Sequence, residues 1–303
     1  MVLFLLVVTP TMIFAKASIK PITFNGKIVF QRDTKDETQV FVMEGKTGKI
    51  KKLTHVDVNI DPKWSPDGKK IAFASTKTGQ YEVYIMDSDG KNQKRITYTK
   101  GGFSREPRWS SDGEEIYFFS NIKGDVQENV ITVATGKIKT LFGTGELNVG
   151  KAMEIRVEGV LGRFEGLFKI FPAPDKRYNI VYYEHRKDYS TVLINKVTKT
   201  KIILGKGGEP SWSKDGKKIA YFSYSNGTFS LVIYDVKKKQ YKKIPIYKNE
   251  NEFCESPSWS QNSNKIIYYC SPEAGPGECW LYMLDLKTEK SEKLTKGQEP
   301  DWY

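Results

Sequence analysis

The sequence predicts an all-β fold, a six-bladed β-propeller with four antiparallel strands in each blade. Three observations carry that expectation: one phrase recurs along the chain, its tryptophans keep a near-constant spacing, and the two ends complete each other as a single repeat.

The phrase first reads Asp61-Pro62-Lys63-Trp64-Ser65-Pro66-Asp67-Gly68-Lys69-Lys70-Ile71-Ala72-Phe73. It returns from Glu106 to Phe118, from Glu209 to Tyr221 and from Ser256 to Tyr268, and a degraded copy from Phe171 to Tyr182 aligns after a one-residue shift. Trp64, Trp109, Trp212, Trp259 and Trp302 mark a period of about 40 to 47 residues, with the degraded copy filling the one wide gap.

Each copy decodes in the same way. Pro-x-Trp-Ser opens a short strand, with proline at its first position because it cannot donate to a ladder. The Pro-Asp-Gly or Ser-Asp-Gly that follows is a tight turn in which glycine supplies the positive φ. Ile71 to Ala74 is a buried second strand, Ser75 to Gln80 a polar loop, and Glu82 to Met86 an alternating third strand. A turn at Asp89-Gly90 leads to a last strand through Arg95-Ile96-Thr97. Four antiparallel strands per period make a propeller blade, with the tryptophan packed against the neighbouring blade.

The ends supply the sixth blade. Glu299 to Tyr303 is a first strand with no second strand after it, and Phe24 to Phe30 is a second strand with no first. Pairing them closes the ring and removes the open edges that would invite aggregation. The third blade departs from the period, with some twenty extra residues between Gly143 and Phe168 and strand-like alternation at Met153 to Val157. Two readings stand: a β-hairpin decorating the connection, or a binding loop on a rigid scaffold.

Taken together, Pro-x-Trp-Ser-Pro-Asp-Gly-x-x-Ile-Ala-Phe, the Tyr84 to Gly90 segment and the basic last strand ending in Ile96-Thr97 resemble the WD-like repeat of TolB-type propellers. The resemblance runs over essentially the whole mature chain and implies a protein-binding propeller of the cell envelope. TolB-type proteins carry a separate α/β domain ahead of the blades, for which residues 18–23 leave no room. Related propellers gate prolyl oligopeptidase-like and tricorn-like proteases, but no hydrolase domain is expected after Tyr303.

Composition fits a folded protein: 303 residues, 39% hydrophobic, 13% aromatic and 28% charged. A ring of repeats lets residues 18–303 form one domain. The net charge of +12 raises the question of an acidic partner. Its lysine clusters (Lys49, Lys51 and Lys52; Lys91, Lys94 and Arg95; Lys237 to Lys239 with Lys242 and Lys243) fall at repeat ends, and no stripe with interleaved aromatics forms. They read as a solvated rim, and no nucleic-acid partner is expected.

Residues 1–14 carry no charge and are too short to span a bilayer comfortably, and Ala15-Lys16-Ala17 offers a small-x-small cleavage signal. Residues 1–17 therefore read as a signal peptide, with an uncleaved anchor as the alternative, since the usual basic start is missing. The expected product is a monomer, periplasmic or extracellular, with no membrane span after cleavage. The three cysteines, Cys254, Cys270 and Cys279, allow one disulfide in an exported protein. Cys270 and Cys279 flank the loop Ser271 to Glu278 and are the expected pair.

No catalytic constellation is found. The only histidines, His55 and His185, fall at different points of the repeat, too far apart in phase for a triad and too few for a His-rich metal site. Lys206-Gly207-Gly208 precedes a β phrase and reads as a turn rather than a phosphate loop.

One feature does converge. The residue before the repeat proline is Asp61, Glu106, Glu209 and Glu299 in four blades, with Ser256 and, by the shifted alignment, Lys169 in the other two. Because first strands line the axis, these positions form a ring at the channel mouth. The ring reads either as carboxylates accepting backbone N–H groups or as a focused negative potential for a cation, calcium among them, or a partner's amine. The chain is accordingly expected to be a non-enzymatic scaffold for an envelope protein or peptide. Its binding face would carry the ring and the second-to-third-strand loops, such as Gln31 to Glu37 and Ser271 to Glu278. A small-ligand, glycan or metal-binding propeller, an enzyme or a peptidase accessory is the alternative.

Overall fold

A computed structural model describes residues 22–303 apart from residues 123–124, 144–152, 158–159, 165–166, 186–187, 226–227, 247–251 and 273–277. Six four-stranded antiparallel sheets are arranged as blades around an axis. Blades 2 to 6 take their first, innermost strands from Asn59–Trp64, Gly102–Trp109, Leu167–Pro172, Gly208–Trp212 and Glu252–Trp259 in turn. The signal-segment expectation for residues 1–17 lies outside the described residues. No helix among the described residues is long and apolar enough to cross a membrane.

Blade 1 is assembled from both ends of the chain. Its innermost strand is Gln298–Trp302, paired with Lys27–Asp33 so that Ile28 faces Trp302 and Val29 faces Asp301. Lys27 and Tyr303 exchange both backbone hydrogen bonds, at 2.6 and 2.8 Å. Trp302 is 1% exposed and stacks edge-on against Phe24 at 5.1 Å. The closure inferred from the ends is the closure observed.

The repeated phrase owes its residue types to specific contacts. The hydroxyl of Ser65 donates to Asp67 Oδ1 at 2.7 Å and accepts the N–H of Lys70 at 2.9 Å, pinning the turn between first and second strands. Ser110, Ser213 and Ser260 repeat the clasp with Asp112, Asp215 and Asn262. The turn then needs a left-handed residue, which is Gly68, Gly113 or Gly216, and Lys176 or Ser263 where glycine is missing. The tryptophans latch blades together: the indole N–H groups of Trp109, Trp212 and Trp259 donate to the carbonyls of Lys63, Phe171 and Ser211 in the preceding blades, at 3.1, 2.9 and 3.2 Å. Trp64 instead packs at a tilt against Tyr303, centroids 5.9 Å apart, and its buried indole nitrogen has no partner among the described residues.

The extra segment after blade 3 forms a two-stranded hairpin, Met153–Val157 with Val160–Phe164, in a sheet of its own. The disulfide expectation is corrected. Cys254 and Cys270 are direct cross-strand neighbours in blade 6 and form the bond. Cys270 instead faces Trp280 on its other side, which puts Cys279 one residue out of register; its sulfur accepts from Gln298 Nε2 at 3.0 Å.

Because the innermost strand of blade 1 supplies the ring's last ladder and a fully buried indole, removing residues 299–303 should cost about 3 kcal/mol or more. Thermal melts of the truncated chain are expected to show a much lower transition or aggregation, and an unchanged transition would refute closure through the ends.

Candidate functional site

The residue before each repeat proline sits in a β-bulge. Register slips between Ile60 and Lys63, Arg105 and Arg108, Gly208 and Ser211, and Glu255 and Ser258. The bulged residues Asp61, Glu106, Glu209, Ser256 and Glu299 have φ of 54°, 56°, 37°, 52° and 48°, left-handed values that non-glycine residues adopt at a cost of about 1 to 3 kcal/mol each. A bulge re-aims its side chain, and here the five side chains are brought together at the axis. Blade 4 is different. Its first strand pairs without a slip, Lys169 opposite Tyr182, and its degraded phrase has Ile170 where the proline would stand.

The six positions join in one circuit. The N–H of Glu106 donates to Asp61 Oδ2 at 3.3 Å. Lys169 Nζ lies 2.6 Å from Glu106 Oε2 and 3.0 Å from Glu209 Oε1. Ser256 Oγ is 2.7 Å from Glu209 Oε2 and 3.0 Å from Glu299 Oε2. Lys63 Nζ, at 3.6 Å from Glu299, returns the circuit toward Asp61. A hydroxyl has one proton to give. Ser256 therefore donates to one of these two carboxyls at a time.

The electrostatics separate the four acids. Burial, then Glu299 and Glu106, push Asp61 up to about 7. Burial and the charge of Glu209 also raise Glu299. Glu209 goes the other way, because Lys169 and the Ser256 hydroxyl outweigh its burial. Lys169 is held above the usual lysine range, the desolvation that opposes its charge being overcome by Glu209 and Glu106. The expected ring of carboxylates thus exists, but the cation between two of its members is the chain's own ammonium. Calcium was one of the cations the ring was read as able to attract, beside a partner's amine; among the described residues no group of three or more acidic, cysteine or histidine side chains is placed to hold a metal.

A second layer lies just past the ring and was not read from the sequence. Asp301 accepts from Ser258 Oγ and from the N–H of Trp64, both at 2.8 Å, tying blades 6, 1 and 2. Arg108 pairs with the fully buried Glu128 and donates to the Glu106 carbonyl at 2.9 Å. The one available signal was the residue two places after the ring position, which is Lys63, Arg108, Ser211, Ser258 or Asp301, polar in five blades.

The ring floors a funnel of about 550 Å³ walled by Trp109, Phe171, Trp212 and the repeat prolines. Its rim is built by Pro66, Ser111, Pro174, Lys214 and Gln261, all from the turns between first and second strands. The funnel therefore opens on the face opposite the second-to-third-strand loops. A smaller cavity of about 240 Å³ lies on the loop side, and Lys169 and Glu209 line both. His55 is exposed on the periphery and away from the ring, and the side chain of His185 lies outside the described residues.

Comparison with known proteins shows what the chain is similar to. Residues 22–160 match the TolB beta propeller domain family. The Tol-Pal system protein TolB of Francisella tularensis subsp. mediasiatica is 38% identical over 73 residues, 23% of this chain and 17% of that protein. An uncharacterized peptidase, YuxL, of Bacillus subtilis is 38% identical over 62 residues, 20% of this chain and 9% of its own length. The matches thus span less than a fifth of these relatives. The crystal structure of TolB from Acinetobacter baumannii superposes with a TM-score of 0.71 at 20% identity, over 92% of this chain and 67% of that one, and shows the fold.

Two variants separate the charges of the ring. Lys169→Met leaves Glu106 and Glu209 buried without their cation and should cost about 3 to 5 kcal/mol at neutral pH. The loss should shrink at a pH acid enough to protonate Glu209, whose charge Lys169 helps to hold. Asp61→Asn has the opposite sign. A raised native pKa means that the folded state binds the extra proton between about pH 4 and 7, so wild-type stability from this group is full at the acid end and lost as pH rises through 7. The amide should therefore stabilise by on the order of 1 to 3 kcal/mol at pH 8 and by nothing near pH 3. Melting curves across pH check both, and a pH-independent difference in either variant would contradict the assignment.

Proposed function

Because the chain is a TolB-like six-bladed β-propeller, we propose that it is an exported, non-enzymatic binding scaffold whose funnel receives a segment of a protein or peptide partner in the cell envelope. The funnel itself carries the reading. Its walls are aromatic and proline, its floor is a polar circuit with its hydrogen bonds already made, and its rim comes from short, pinned turns. Such a site is rigid before the partner arrives, which lowers the ordering cost of binding. Apolar walls take side chains from an inserted loop, and the ring offers oriented acceptors to its tip.

Export is supported by two features. Residues 1–17 have the apolar run and small-residue signal of a secretory leader. The Cys254–Cys270 bond suits an oxidising compartment. Against catalysis, the described funnel residues include no histidine and no cysteine, so the serines there lack an imidazole base. A second reading has one observation in its favour: about 550 Å³ also falls within the usual size of a small-ligand pocket. A glycan or short peptide would fit it.

The test uses the rim rather than the ring, so that the fold is spared. Lys214 and Gln261 are exposed and line the funnel mouth. Mature protein carrying Lys214→Glu and Gln261→Arg should keep its melting temperature and lose at least about tenfold, some 1.4 kcal/mol, of affinity for the protein that the wild type captures from envelope extract. Capture undiminished by the double variant would refute the funnel as the binding site.

A further inference from the structure

The smaller cavity, on the loop side of the axis, has a chemistry of its own. Tyr224, Phe229 and Phe253 form its outer wall, with Phe222 beneath them and Glu255 at its edge. Tyr224 and Phe229 lie 4.9 Å apart, and Phe229 meets Phe253 at 5.2 Å with the planes 87° apart, so two of the faces make a right-angled corner. Tyr224 is 59% exposed and Phe253 36% exposed, so with Phe229 they present a contiguous aromatic patch at the cavity.

Glu255 completes the corner. Tyr269 donates to its Oε2 at 2.7 Å, and it has no ion-pair partner among the described residues, whereas the nearby Glu209 is paired with Lys169. The described arginines and lysines that sit over aromatic rings use Phe30, Phe41, Tyr98, Phe103, Phe171 and Trp280, and none uses this cluster. An aromatic corner attracts a cation through the negative faces of its rings, most strongly one too bulky to be well hydrated. A carboxylate without a counter-ion at the same cavity supplies the charge complement. Burial and the charge of Glu209 push Glu255 up to about 7, against the weaker pull of the Tyr269 hydroxyl and of Lys169 across the cavity.

From this geometry we infer that the cavity lined by Tyr224, Phe229, Phe253 and Glu255 is a binding site for an organic ammonium group, the head of a quaternary amine or the end of a lysine side chain. About 240 Å³ accommodates either, with room for methyl substituents. The site lies on the face opposite the funnel mouth, so it does not depend on what the funnel binds. Lys169 and Glu209 form the partition between the two.

Titration calorimetry on the wild-type protein with choline, with N-acetyl-lysine amide and with 3,3-dimethylbutanol, the neutral isostere of choline, tests the inference. At least one of the two ammonium compounds should bind with a dissociation constant below about 10 mM, and at least tenfold tighter than the neutral alcohol. Choline ahead of the lysine derivative identifies a small quaternary amine as the natural source, and the reverse order identifies a peptide side chain. Phe253→Ala, at an exposed ring, and Glu255→Gln should each weaken the preferred compound at least tenfold, with melting temperatures confirming that both variants are folded. No heat from either ammonium compound, equal binding of the neutral alcohol, or unchanged affinity in both variants would overturn the site. None of these results bears on the funnel, whose test uses different residues on the other face.

Discussion

Six strands that converge on one axis must each place a side chain where there is little room and little water, and how those side chains satisfy one another constrains the rest of this molecule. Four of the six are acids. Unpaired buried carboxylates at such spacing would repel, and each would cost several kcal/mol. The observed answer is a run of contacts from Asp61 round to Glu299: a backbone donor for Asp61, one ammonium shared by Glu106 and Glu209, and one hydroxyl shared by Glu209 and Glu299. The circuit is why the axis has unequal acids. Glu209 keeps its charge at the expense of Asp61 and Glu299, which are left to burial and mutual repulsion.

The irregular blade supplies what the regular ones cannot. Five blades deliver the ring residue through a bulge in a left-handed conformation, and a long flexible cation is not needed there. Blade 4 lacks the proline, the tryptophan and the bulge, yet its Lys169 reaches two carboxylates from an unslipped strand. A defect in the repeat is thus the source of the ring's counter-ion. The same substitution leaves Trp212 of blade 5 bonded to the Phe171 carbonyl, so the latch between blades survives the loss of blade 4's own indole.

Much of the fold was legible because propeller repeats are local: a strand, a turn with a left-handed residue and a buried strand leave their marks within a dozen residues, as Trp64 to Phe73 shows. Closure was legible from two half-repeats. The ring was legible as a set of positions, since periodicity carries each first strand to the axis. Its partners were not. That Lys169 would neutralise the ring depends on a missing bulge, and the clamp of Asp301 on Trp64 depends on blades 237 residues apart in sequence. The disulfide failed for a related reason: loop length favoured Cys270 with Cys279, but cross-strand register put Cys254 directly opposite Cys270. Which end of the axis is wide was not legible, because strand order alone does not say so. Aromatic side chains such as Phe253 look like core in a sequence, and only the fold leaves them at a surface.

The result is a propeller with a wide aromatic funnel on the face of the short turns and a narrower cavity on the loop face, with Lys169 and Glu209 lining both. The central claim is that one internal ammonium divides the axial acids into a charged member and members held closer to neutrality. Carbon-detected NMR titration of the aspartate and glutamate carboxyls in the folded protein reads this directly. The account predicts Glu209 titrating below the ordinary glutamate range while Asp61 titrates near 7. If the two titrated together in the ordinary carboxylate range, the ring would be an open set of solvated acids and the account would fail.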